Sequence, residues 1–153
     1  MLLTQVNQMV KPVSEGMVPS LSSVVKVKWL GGLRFVANDD EGHSIVVEAS
    51  KKHDGEGSAF TPMQLLLVAL GSCTGTDVVN ILQKQRQKLT GFEIVVSDDP
   101  RVYSKVHVEY KLKGENLRDK ALCTAIQLSQ DKYCSGGATI GKTAKMSRSY
   151  SIQ

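Results

Sequence analysis

The chain has 153 residues, enough for one compact domain with a sizeable core, and its apolar and charged fractions of 41% and 22% are those of an ordinary globular protein. The net charge of +4 is mild and the lysines are scattered, which argues against a nucleic-acid or membrane-binding patch. Three cysteines in a chain of this size point to reduced, cytoplasmic thiols rather than a disulfide framework. No CxxC or Cys/His cluster has zinc spacing, so neither a metal nor a cofactor is expected.

Residues 1–22 show no clear period and read as an N-terminal extension, either disordered or packed on a partner. They lack a basic segment followed by a long apolar one, so no signal peptide is expected. The longest apolar run, 65–70, is too short to cross a bilayer. A single domain is expected over 23–153.

Valines alternate with lysines over 25–29, the pattern of a half-buried strand. Gly31-Gly32 turns the chain into a second strand over 33–37, and the polar run 38–42 turns it into a third over 44–48, giving a meander. After a polar loop over 50–60, Thr61 and Pro62 open a helix, as N-cap and first helical residue. The helix is expected to reach about Lys88. From Met63 to Leu70 it is apolar on nearly every face, apart from Gln64, so it must be covered on nearly every face. One small sheet and one helix can hardly do that, and a homodimer is expected.

A strand is read over 92–96 and a stronger one over 102–113, where Val106, Val108, Tyr110 and Leu112 alternate with charged residues and His107. Asn116 reads as the cap of a second helix running to about Tyr133 and ended by Ser135-Gly136-Gly137, with a last strand over 144–152. The order βββ-α-ββ-α-β describes an α+β domain with antiparallel sheets and a long buried central helix.

Cys73 lies in Gly71-Ser72-Cys73-Thr74-Gly75, a patch of small residues inside an apolar helix. Each helical glycine costs about 1 kcal/mol relative to alanine, so something must require them: a close backbone, or a small molecule beside a reactive thiol. A small core cysteine explains the position as well. Cys134 precedes a flexible turn, where a second thiol could reach it, and Cys123 reads as a packing residue in mid-helix. His43, His53 and His107 read as surface residues. Asp77 shares a helix face with Cys73, where a carboxylate would hinder thiolate formation, and is read as a structural group or a partner for a cation such as Arg86.

The stretch from Thr61-Pro62 through the apolar run to Cys73, with Asp131-Lys132-Tyr133-Cys134-Ser135 and the meander Trp29-Leu30-Gly31-Gly32-Leu33-Arg34-Phe35, resembles the OsmC/Ohr family. The likeness extends from about Val25 to the C-terminus. It implies an OsmC-like fold and an intertwined homodimer with two active sites at the subunit interface. It implies a thiol-dependent peroxidase of oxidative stress defence, reducing organic hydroperoxides or hydrogen peroxide, with an external dithiol as reductant. By the same resemblance Cys73 is the attacking thiolate, Cys134 the resolving thiol and Arg34 the activating guanidinium. Arg148, on an apolar strand face, is a rival for that last role. One departure stands out: Met63 occupies the place of the glutamate that pairs with the arginine in the peroxidase branch, and Gln64 could only accept a hydrogen bond there. The alternative is a non-catalytic OsmC-like stress protein that binds a small apolar ligand at the dimer interface.

Overall fold

The computed structural model describes residues 24–99 and 103–153. The extension over 1–22 and the first residue of the strand expected at 102 lie outside the described residues. The chain forms two compact units divided between Val47 and Glu48, a boundary inside the stretch read as one domain.

The first unit is the expected meander, β1 (Lys26–Gly31), β2 (Arg34–Asn38) and β3 (Ser44–Glu48), in that order in one sheet. Gly31 and Gly32 take φ of 106° and 54° at the first turn, a region open to glycine at no steric cost. The β1–β2 register pairs Val27 with Ala37 and Trp29 with Phe35. Val27, Trp29 and Phe35 are nevertheless exposed, at 62%, 67% and 40%.

The second unit holds α1 (Pro62–Lys84), the strands β4 (Lys88–Asp98), β5 (Lys105–Glu115) and β6 (Lys145–Ile152), and the helices α2 (Asp119–Leu128) and α3 (Ser135–Ile140). Its sheet has the order β4-β5-β6. The alternation read in β5 is present: Val106, Val108, Tyr110 and Leu112 are all buried and form the floor of the core. Leu70, Val78 and Leu82 of α1 and Ala121, Leu122 and Ala125 of α2 pack into the same core.

The β4–β5 pair is antiparallel, but β6 runs parallel to β5, so the sheets are not wholly antiparallel as expected. The reason is the crossover. The helical segments between β5 and β6 carry the chain back along the sheet, as a parallel connection requires.

Three boundaries also move. α1 ends at Lys84 rather than near Lys88, because Arg86 takes a left-handed φ of 56° and Lys88 already pairs with Glu115. Asn116 does not cap α2; it takes φ 51° in the preceding turn, and Arg118 is the N-cap. The second helical stretch reaches Tyr133 as read, but Ser135-Gly136-Gly137, expected to form the stop, opens α3 instead.

α1 starts as read. The Thr61 hydroxyl accepts from the Gln64 amide, and Gln64 Oε1 accepts from the Thr61 amide at 2.9 Å, a complete capping box. By length and hydropathy α1 could cross a membrane, but Leu70, Thr74, Val78 and Leu82, four residues apart, form a line sunk into the core. One chain covers that line and not the helix all round: Met63, Leu66 and Val68 stay 42–46% exposed.

Gly71 and Gly75 answer to β4. A Cβ on Gly71 would stand 3.1 Å from Val96 Cγ2, and one on Gly75 would stand 2.8 Å from Ile94 Cδ1. Their requirement is therefore close helix–strand packing, and they give no independent sign that Cys73 is reactive.

Candidate functional site

The site is built where α1 meets the break between α2 and α3. After Leu128 the chain widens into a π-turn over Ser129–Tyr133, in which the Cys134 amide donates to the Ser129 carbonyl at 2.8 Å. Cys134 then turns extended, with φ −76° and ψ 94°, and caps α3: its sulfur accepts from the Gly137 amide at 3.2 Å. This swings the Cys134 thiol onto α1. Gly136 packs against α1 there: a Cβ built on it would lie in ordinary contact, 3.5 Å from Cys73 Cβ and 3.6 Å from Leu70 Cα.

The two sulfurs of Cys73 and Cys134 and one carboxylate oxygen of Asp77 lie within 4.8 Å of one another. Cys73 is half-buried and Cys134 is buried, and both are free thiols. The Cys134 thiol is pushed up to about 11, first by burial, then by its contact with Cys73 and by the charge of Asp77; the Gly137 amide works the other way. Cys134 is thus a neutral thiol at physiological pH.

Beneath the thiols runs a buried chain of hydroxyls. Thr74 Oγ1 lies 2.7 Å from Tyr110 Oη and 2.9 Å from Ser129 Oγ, and Ser129 Oγ donates to Asp77 Oδ2 at 3.0 Å. Each hydroxyl has one proton, so the direction follows: Tyr110 donates to Thr74, Thr74 to Ser129, and Ser129 to Asp77. Asp77 is held by this chain, a structural role that the sequence foresaw without its partners. Thr74, Tyr110 and Ser129 had no sequence signal as site residues beyond being polar positions on otherwise apolar faces.

Arg148, on β6, reaches the Gly137 turn that Cys134 caps. Its Nη2 and the Cys134 sulfur stand 3.8 and 3.3 Å from the point where a Cβ on Gly137 would be. Its Nε is buried with no hydrogen-bond partner among the described residues. Arg34 stands on β2 of the first unit, paired with Gly31.

Gln64 spends its side-chain oxygen on the capping box, so it is committed to the helix start. Met63 is exposed on the first turn. The buried carboxylate of this region is Glu48, which sequence reading passed over: it accepts from the Glu56 amide and from both the amide and hydroxyl of Ser58, fixing the loop that leads into α1.

Cys123 is exposed rather than a packing residue, because the buried line of α2 passes through Ala121, Leu122 and Ala125 and leaves it outside. His107 points outward, its two ring nitrogens 2.8 Å from the hydroxyls of Ser147 and Ser149. His43 lies against Asp39 and His53 against Ser50, in turns outside the thiol cluster.

Comparison with known proteins agrees with this geometry. The family model described as OsmC-like protein matches residues 55–147, which include both clustered cysteines. Protein YhfA of Escherichia coli K12 is 33% identical over 132 residues, covering 83% of this chain and 96% of its own. A hypothetical protein from Aquifex aeolicus superposes with a TM-score of 0.75 at 28% identity, over 86% of this chain and 96% of that one. A Legionella pneumophila protein described as an organic hydroperoxide resistance protein OsmC shares the fold, with a TM-score of 0.61 at 16% identity, over 88% of this chain and all of that one. With its two sheets, its long central helix and these relatives, the chain belongs to the OsmC-like family.

Proposed function

We propose that this protein is a thiol-dependent peroxidase in which Cys73 attacks the peroxide and Cys134 resolves the product. The observation that carries the reading is the convergence of the two sulfurs within 4.8 Å, brought together from α1 and from the break before α3. The description of the Legionella neighbour as a hydroperoxide resistance protein supports it.

The Cys73 thiolate attacks the distal oxygen of ROOH. The O–O bond breaks, ROH leaves after taking a proton, and Cys73 becomes a sulfenic acid. Cys134 then attacks that sulfur. The S–S bond forms, the hydroxyl departs, and the proton of Cys134 goes with it to make water. The bond, about 2 Å long, closes a sulfur–sulfur gap of no more than 4.8 Å. An external dithiol restores both thiols by exchange.

A guanidinium suits the activating role because it stays charged when partly buried. Arg34 carries it by family resemblance. Arg148, which reaches the Gly137 turn that Cys134 caps, is the rival for the same role. The protein acts as a homodimer: a second copy covers the exposed apolar residues of α1, which a single chain leaves to solvent.

The test is consumption of cumene hydroperoxide and of hydrogen peroxide by the reduced protein, with a Cys73–Cys134 disulfide sought by mass spectrometry. A Cys73→Ser variant that consumes peroxide as fast as the parent removes the proposal. Arg34→Ala and Arg148→Ala, assayed alongside, assign the activating residue. Gel filtration at low concentration tests the dimer, which a stable monomer would refute.

A second reading is binding of a small apolar ligand without turnover. Two observations favour it: Met63 in place of a carboxylate, and a groove of about 900 Å³ between α1 and β4 lined by residues such as Leu67, Gly71, Val79 and Ile94. An apolar fluorescent probe that binds the dimer, together with failure of peroxide turnover, would decide for it.

A further inference from the structure

Cys73 and Asp77 are four residues apart on α1, the spacing that places two side chains on one helix face and that recurs in helical metal sites. Cys134 meets the same face from the far side of the π-turn. One ligand atom from each lies within 4.8 Å of the other two. Ligand atoms around a tetrahedral zinc ion are about 3.5 Å apart, given metal–ligand bonds of about 2.0–2.3 Å. Small side-chain rotations close that difference.

Neighbouring side chains already hold one of the three groups in place. The Asp77 carboxylate is oriented by the Ser129 hydroxyl at 3.0 Å, at the end of the chain from Tyr110 through Thr74. Outer hydrogen bonds of this kind commonly hold metal-binding carboxylates in position. Cys73 and Asp77 are only half-buried, which leaves a path for an ion and a place for a water as fourth ligand. Two thiolates and a carboxylate carry three negative charges. A divalent cation and the nearby Arg148 together balance them.

We propose that Cys73, Cys134 and Asp77 form a site for a thiophilic divalent cation of the zinc class, which competes with peroxide for the thiol pair. The site rests on the same two cysteines as the proposed peroxidase but needs no turnover to exist. On binding, the two thiols lose their protons to solvent and both sulfurs become metal-bound. In that state the Cys73 sulfur shares its charge with the cation and attacks a peroxide more slowly, and the disulfide cannot close until the ion leaves. Linear cysteine spacing conceals such a site because its ligands come from two separate segments.

The experiment uses the reduced, full-length chain under anaerobic conditions. Titration with Co2+ alone should produce a thiolate-to-cobalt charge-transfer band saturating at one ion per chain, reversed by Zn2+. In the unaltered protein, Zn2+ should slow alkylation of Cys73 and Cys134 at least about tenfold while Cys123 reacts as before, an internal control that needs no variant. Asp77→Asn should weaken Co2+ binding about 10–100-fold, with folding checked by circular dichroism. Absence of the band, equal alkylation of all three cysteines with and without Zn2+, or unchanged affinity in a folded Asp77→Asn protein overturns the proposal. The two readings fail separately: cobalt binding without peroxide consumption leaves the metal site and removes the peroxidase, and peroxide consumption with no cobalt band does the reverse.

Discussion

Two places in this molecule contain the same three ingredients, a thiol, a hydroxyl and an aspartate, and differ in nearly everything else. At the first, Cys73 and Cys134 stand over Asp77 and the buried hydroxyls of Thr74, Ser129 and Tyr110. At the second, the Cys123 sulfur lies 3.5 Å from Tyr150 Oη, which donates to Asp119 Oδ1 at 3.1 Å, with Cys123 and Asp119 exposed and the Tyr150 ring partly buried. The surface group perturbs its own members: contact with the Cys123 thiol and then the Asp119 carboxylate pushes the Tyr150 phenol up to about 12. It nevertheless lacks a second sulfur among the described residues and a shield from water. The difference teaches that residue type does not make a redox site. What sets the first place apart is a second thiol within reach and a buried frame that holds the geometry.

The comparison breaks most sharply on activity. Cys73→Ser should lower peroxide consumption at least about a hundredfold, since a nucleophile is removed, while Cys123→Ser should leave it unchanged. The pair of rates, measured by residual peroxide, is the check. Next comes stability. Thr74→Val removes the middle of the buried hydroxyl chain, strands the Tyr110 hydroxyl and takes from Ser129 the donor it accepts from, at a cost of about 1–3 kcal/mol read by urea unfolding. Tyr150→Phe, at the surface group, should stay within about 0.5 kcal/mol of the parent by the same measurement.

The pH dependence sharpens the contrast further. The folded state raises the Cys134 thiol from 9.0 to about 11, so it favours the neutral form. The stabilising contribution is complete below about pH 9 and is lost as pH rises toward about 11, because there the unfolded chain releases the proton first. Cys134→Ala should flatten that part of the profile, and a slope left unchanged would assign it elsewhere. The smallest effect is kinetic: exposed Cys123 should be alkylated before buried Cys134, as peptide mapping would show.

Much of the frame around this contrast was legible from residue order. The alternation over β5 named its buried face correctly, and Thr61, Pro62 and Gln64 announced the start of α1 because capping is chemistry local to four residues. The two cysteines were legible only as motifs. Their meeting depends on a π-turn whose insertion is marked by no residue type. Asp77 was read as structural, but Ser129, its partner, is 52 residues away in sequence. Cys123 was misplaced because it lies just off the stripe of Ala121, Leu122 and Ala125 that α2 buries.

By itself, then, the sequence determined the local vocabulary of this protein: which stretches are strands, where the long helix begins, which face of β5 is apolar, and that two cysteines sit at marked positions. Those are decided by backbone sterics, capping and periodicity over a few residues. The tertiary structure alone decided that β6 returns parallel, that the glycines of α1 serve β4, and that two sulfurs and a carboxylate share one small volume. The physical reason is range. These outcomes depend on how side chains distant along the chain fill a common core, and no short window of sequence contains both partners.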